Sequence, residues 1–446
     1  MSSNQVMELM ELLGYKKNGD SFKNNRNFYN TKVLPFFSRN PERAKFTNGF
    51  YPIISALLRI SSKENAEYKF SSEEFKENLN NHLDEGPNKQ EFIELLMKNF
   101  DSFNFKSLYF IKFISLSDSN ERVGEIEIAL LLNELFNLSE LQEWYEKLNS
   151  SEPKNLLEKL LSQSFPEINE DTKKRRNFHL MDGEYYRSLA QRDLVLLLKD
   201  REFFIENMEL FFAYYYFFYV TQVMVKIQMS NANENPEELY YALESERITS
   251  TRLAHTAGYK KVVSTKKDLL PRLDYLDYLN VLIGNKGKYY FTKDFNELTF
   301  EEETILEENL NKFNAYYAVA KNKRRTGKTL EKSMKDLFSW LKEDIDKALI
   351  SRFSLSLDEI AKKYFVKPRG RLGNTLNMTN DLLLMFTALI VSDKKMLVEE
   401  VFKGFEDRGM YFDRYTKSEI LDIYNNSNIL EKKSDSGDAQ YVKPIL

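Results

Sequence analysis

Any chemistry in this chain would have to come from carboxylates, lysines and arginines, because it has three histidines and no cysteine. His82, His179 and His255 fall in separate segments. No HxH or HExxH metal pair exists, and each reads as a surface or capping histidine. Without thiols there is no disulfide framework, thiolate zinc, iron–sulfur cluster or cysteine nucleophile. A metal nuclease could still use acids to hold Mg²⁺ and a lysine to orient or activate water. Glu67-Tyr68-Lys69 and Glu74-Phe75-Lys76 have that local spacing. Neither follows an apolar strand with an upstream aspartate, and a chain rich in Glu and Lys yields such matches by chance. The residue types therefore predict a protein that is not an enzyme and needs no cofactor.

Cations offer more. Residues 321–328 hold five cations and no acid: Lys321, Lys323, Arg324, Arg325 and Lys328. Thr326-Gly327-Lys328-Thr329 ends like a phosphate-binding loop, but the motif's first glycine would fall at Asn322 and no strand precedes it. Lys323, Arg324, Arg325 and Lys328 instead suit a loop facing nucleic acid or a partner, against the plainer reading of a solvated hinge. Between residues 14 and 47, Lys16, Lys17, Lys23, Arg26, Lys32, Arg39, Arg43 and Lys45 oppose only Asp20 and Glu42. Phe22, Phe28, Phe36, Phe37 and Phe46 lie among them, a mixture that single-strand binding uses. The Pro and Asn punctuation favours a loop whose aromatics plug a core. Lys173-Lys174-Arg175-Arg176 reads as a solvated linker.

These residues must be positioned by something, and the sequence supplies helices. At residues 203–229, FFIENMELFFAYYYFFYVTQVMVKIQM, the part from 210 to 225 carries no charge. A 3.6-residue period puts apolar groups on every side, so the helix must be surrounded. A lipid span needs about 20 apolar residues. Here Glu206, Glu209 and Lys226 close the ends, and Tyr214, Tyr215, Tyr216 and Tyr219 carry hydroxyls that seek partners. A core helix walled by protein is expected. Helices are also expected over 51–60, 92–100, 123–136, 156–161, from Pro236 through 252, over 267–282 with Pro271 in the first turn, and over 304–321. Residues 107–116 suit a helix or a strand. A length of 446 residues suits about three domains. The divisions expected are an N-terminal helical region (1–180), a central helical domain built on 203–229 (181–350), and a C-terminal unit (351–446). The fold class is mainly α. Residues 1–15 lack a basic segment followed by an apolar run, so no secretory signal is expected and a cytoplasmic location is. A net charge of -4 leaves nucleic-acid contact to local patches.

The C-terminal unit reads as short helices over 357–365, 381–391, 394–405 and 417–426, then a hairpin around Ser434-Asp435-Ser436-Gly437. The last helix starts on a capping box, Thr416 to Glu419. Helices followed by a hairpin is the order of a winged helix-turn-helix, whose recognition helix enters the major groove. Lys417, Ser418, Asn425 and Asn426 on the helix, and Lys432, Lys433 and Ser436 on the wing, are the candidate DNA contacts. Glu419 and Asp422 share the helix and residues 355–446 show no basic excess, so a protein-contacting winged helix stands beside the DNA-binding one.

Three stretches carry a resemblance: LFFAYYYFFYVTQ (210–222), ALESERITSTR (242–252) followed by Gly258-Tyr259-Lys260, and NILEKKSDSGDAQYVKPIL (428–446). They resemble the DptG (DndG) family of DNA phosphorothioation-dependent restriction systems. The resemblance implies a subunit acting with DptF-like and DptH-like ATPase partners in antiviral defence, against double-stranded DNA that lacks phosphorothioate modification. It brings no active-site residues and no small-molecule substrate. The expectation is a non-catalytic subunit that binds DNA, partner proteins or both. A cryptic nuclease with Asp and Glu ligands is the alternative, and a membrane-associated sensor anchored by the central helix is a third.

Overall fold

The computed structural model describes residues 15–18, 21–24, 33–36, 45–98, 108–117, 121–149, 156–173, 177–284, 287–433 and 439–445. It is mainly helical, with small mixed sheets. A hairpin of β1 (Tyr15–Asn18) and β2 (Ser21–Asn24) comes first, in a region expected to hold no strands. Then come α1 (Tyr51–Ser61), α2 (Ser72–His82), α3 (Lys89–Lys98), α4 (Leu108–Ile111), α5 (Glu121–Phe136), α6 (Gln142–Asn149), α7 (Leu156–Ser164), α8 (Gly183–Lys199) and α9 (Arg201–Lys226). β3 (Tyr240–Leu243) precedes α10 (Leu253–Thr256), α11 (Tyr259–Ile283), α12 (Phe300–Ala320), α13 (Leu330–Asp344), α14 (Lys347–Arg352) and α15 (Leu355–Tyr364). The rest alternates: β4 (Val366–Pro368), β5 (Asn374–Met378), α16 (Asn380–Val391), β6 (Met396–Leu397), α17 (Val398–Asp407), β7 (Tyr411–Phe412), α18 (Arg414–Asn426), β8 (Leu430–Lys433) and β9 (Ala439–Val442). Residues 1–14 and most of residues 14–47 lie outside the described residues.

The aromatic stretch forms α9, and every residue from Phe211 to Lys226 is buried. Asp200 starts it by accepting the Phe203 N–H at 2.8 Å, which satisfies an otherwise orphaned amide. Rings from four other helices or their ends meet it edge-on or stacked: Phe136 (5.3 Å from Tyr215), Trp144 (6.1 Å from Phe212), Phe365 (4.8 Å from Phe217) and Phe386 (4.7 Å from Tyr214). Protein therefore supplies the walls. Among the described residues no helix is long and apolar enough to cross a membrane. The tyrosine hydroxyls divide. Tyr214 donates to the Arg408 carbonyl at 2.6 Å, Tyr215 donates to Asp193 at 2.5 Å, and Tyr219 accepts the Met181 N–H at 3.0 Å. The Tyr216 hydroxyl is buried and meets no partner among the described residues.

One continuous core runs from Val33 to Val442 and includes residues of all three expected sections. A smaller one gathers Phe75, Leu79, Ile93, Leu96, Phe110, Phe113, Leu161 and Phe165. The stretch around Leu108 resolves as the short α4 followed by a turn.

Three expectations are corrected. The helix opening at Pro236 is instead an extended entry to β3, which lies parallel to both β5 and β7 in a sheet of order β4-β5-β3-β7. Gln222 on α9 holds the Glu237 backbone from both sides, accepting its N–H at 2.6 Å and donating to its carbonyl at 3.0 Å. That keeps the chain extended after Pro236. Pro271 does not open a helix: it is buried inside the 25-residue α11. Leu269, Leu273, Leu276 and Leu279 are buried on the same helix. Their packing outweighs a proline cost of about 3 kcal/mol. The helix expected over 394–405 begins only at Val398, because Met396 and Leu397 pair with Val442 and Tyr441 as β6. β6, β9 and β8 form an antiparallel sheet in that order.

Candidate functional site

The basic loop between α12 and α13 is largely tied down. Lys323 Nζ lies 2.8 Å from Glu343 and 2.7 Å from Asp344, and Arg325 donates to Asn311 Oδ1 at 2.6 Å. The Thr326 N–H donates to Asp336 at 2.8 Å and the Leu330 N–H to Glu307 at 2.9 Å. Two of the loop's amides are thus taken by carboxylates, where a phosphate cradle would leave its amides to the ligand. Arg324 and Lys328 remain exposed.

On α18 the first turn is capped by Asp413, which accepts the N–H groups of Tyr415 and Thr416, both at 3.1 Å. This corrects the Thr416 capping box: Thr416 is a buried residue within the helix. Lys417 turns back onto α17, 3.4 Å from Glu406 and 5.0 Å over the Phe402 ring. Ser418, Glu419, Asp422, Asn425 and Asn426 are exposed, so the outward face past the first turn carries two carboxylates and no cation. Lys432 and Lys433 stand in β8 opposite Gln440 and Ala439. Ser436 lies outside the described residues.

The other candidates stay apart. Glu74 and Lys76 ride on α2, and Glu67 pairs with Lys173 at 2.6 Å. Lys174, Arg175 and Arg176 are outside the described residues. His82 meets the Asn78 carbonyl at 2.8 Å in the last turn of α2, and His179 stacks on Tyr289 with centroids 4.7 Å apart. Among the described residues no three His, Asp or Glu side chains could hold a metal together. Phe36 and Phe46 are buried, as expected for rings that plug a core.

The structure assembles a cluster that sequence reasoning missed, at the carboxyl ends of β3 and β7. Arg252, just before α10, forks onto Asp413 at 2.6 and 2.8 Å and onto Glu246 at 2.7 Å. The Thr416 hydroxyl donates to Glu246 at 2.9 Å. From the base of the β4–β5 hairpin, Arg369 donates to the Glu246 carbonyl at 2.7 Å and the Leu243 carbonyl at 2.8 Å. Burial opposes the charge on Asp413, but hydrogen bonds from Arg252 and from the amides of α18 outweigh it and hold the carboxyl below its usual range. Tyr415, half exposed, has the guanidinium groups of Arg252 and Arg414 at 4.8 and 4.6 Å from its ring centre. The Glu246 and Asp413 carboxylates are both engaged by donors. Chemically the cluster is a rigid mount. It fixes the β3 loop, the β4–β5 hairpin and the start of α18 against one another.

The only signal for it in the sequence was ALESERITSTR, which holds Arg252 and Glu246, while the second acidic partner of Arg252, Asp413, lies 161 positions away. In comparisons with known proteins, the chain matches no family model and no curated protein.

Proposed function

We propose that this chain is a non-catalytic subunit of a DNA-restriction assembly of the DptG kind. It binds DNA and protein partners through its C-terminal unit, while DptF-like and DptH-like subunits do the ATP-driven work on DNA lacking phosphorothioates. One observation carries the binding half. The succession α16, β6, α17, α18, β8, β9, with β6 paired to β9 and β9 to β8, follows the order of a winged helix-turn-helix. Two of the stretches that resemble the family take part in long-range contacts: Gln222 of the first holds Glu237 ahead of β3, and Arg252 of the second holds Asp413, the cap of α18. The engaged carboxylates and scattered histidines support the non-catalytic half.

A gel-shift series in rising salt, with modified and unmodified duplexes, tests this reading. The full chain, alone or with its partners, is expected to show DNA affinity that falls linearly on a log–log plot against salt. Cleavage of DNA by the purified chain with Mg²⁺ alone contradicts it.

A further inference from the structure

The cluster mounts a second tier of arginines that the wing and the basic loop do not involve. Arg247 follows Glu246, Arg371 lies two residues beyond Arg369, and Arg414 follows Asp413. All three are exposed, and none makes an ion pair among the described residues. Their backbones are therefore fixed by the cluster while their guanidinium groups face solvent.

Charge on this edge is lopsided. Arg247, Arg252, Lys367, Arg369, Arg371 and Arg414 oppose Glu244, Glu246 and Asp413, an excess of three cations. The carboxylates are answered locally: Glu244 by Lys367 at 3.3 Å, Glu246 and Asp413 by Arg252. Arg369 spends its hydrogen bonds on carbonyl oxygens, so its charge meets no carboxylate directly. Tyr415 steadies Arg414, which also donates to the tyrosine oxygen at 2.6 Å. A ring already engaged by guanidinium groups serves to hold them and is poorly placed to stack a base. Asp413 takes the free amides of α18, so the helix terminus adds no anion site of its own. What remains is a fan of planar donors matched to phosphodiester oxygens.

We infer that the face formed by Arg247, Arg371 and Arg414 around Tyr415, at the start of α18, docks the phosphate backbone of duplex DNA. This rests on the DNA-binding half of the function proposed above. It places the contact at the amino end of α18, where a helix-turn-helix meets DNA, and away from Glu419 and Asp422 further along.

The test uses the full chain carrying Arg247→Ala, Arg371→Ala and Arg414→Ala together, with thermal melting to confirm an intact fold. Each lost phosphate contact lowers the magnitude of the log–log salt slope by about 0.9, so the triple variant is expected to lose about 3. The corresponding triple Lys variant is expected to keep the slope and bind more weakly, because the charge remains while the fork is lost. If the wild-type chain binds duplex DNA and the triple Ala variant keeps its slope, this face is wrong and the proposed function stands. If poly-glutamate competes as well as duplex at equal charge, the face takes an acidic protein and the inference falls. If the wild-type chain shows no salt-sensitive DNA binding, the inference falls with the DNA-binding half of the reading, and only partner binding survives.

Discussion

Asp193 and Arg408 are both fully buried, and the pair would be costly to break. Arg408 forks onto Asp193 at 2.6 and 2.5 Å, and Tyr215 donates to the same carboxylate. Removing the arginine leaves the buried carboxylate its Tyr215 hydroxyl and the more distant Arg192, 3.8 Å away, but takes away its forked partner. Arg408→Met is expected to cost roughly 3–5 kcal/mol in urea unfolding, whereas the double change with Asp193→Leu recovers most of that. A double variant as unstable as the single one contradicts the pairing argument. Tyr216 gives the opposite sign. Its hydroxyl is buried without a partner among the described residues. Tyr216→Phe is expected to be neutral or to stabilise by about 1–3 kcal/mol, since the ring stays and only an unsatisfied group leaves. Destabilisation by Tyr216→Phe would show that the hydroxyl has a partner after all. Gly409, with φ of 74° and the Phe218 ring 2.4 Å from where a Cβ would sit, marks how closely the turn after α17 approaches α9. None of these three relations can be read from local sequence, because each joins residues that are neighbours only in space.

At the scale of elements, the start of α18 depends on an acid. Asp413 caps the helix and receives Arg252, and its carboxyl titrates below the usual range. A group whose folded pKa is depressed contributes stability above its unfolded value, and that contribution is lost as pH falls through the folded one. Acid below about pH 4, the unperturbed carboxylate range, should therefore loosen the cluster before neutral or alkaline conditions do. Amide exchange at Tyr415 and Thr416 is expected to quicken, relative to the middle of α9, as pH falls below about 4 on the wild-type chain and to show no such step in Asp413→Asn. A step that persists in the variant assigns the acid sensitivity elsewhere.

Element types were legible wherever length and period were generous. The uncharged stretch within 203–229 predicted burial of α9 on all sides, and the 3.6-residue pattern located α1, α5 and α16 to within a few residues. β3 was illegible for a physical reason. Its four residues sit between two parallel neighbours in a mixed sheet with three of them buried, so alternation never develops, and the preceding Pro-Glu-Glu imitates a helix start. The capping box at Thr416 failed because Asp413, three residues earlier, is an equally good cap and has Arg252 to hold it in place.

For the whole molecule, α9 acts as the post to which N-terminal helices, the β3 sheet and the C-terminal unit are all attached. Its partners include Phe136 from the N-terminal region, Leu189 and Asp193 from α8, and Phe365, Phe386 and Arg408 from the C-terminal third. Of the candidate cations, Lys323, Arg325 and Lys417 make internal contacts, while Arg324 and Lys328 are exposed. The exposed arginines that matter to the proposal come from three separate segments, so no run announces them.

The most direct test of the proposed role is co-elution. Expressed with the DptF-like and DptH-like ATPases that the proposal names and passed over a sizing column, the full chain is expected to migrate with at least one of them. Elution at the size of the free chain, together with Mg²⁺-dependent cleavage of DNA by that fraction, would contradict it.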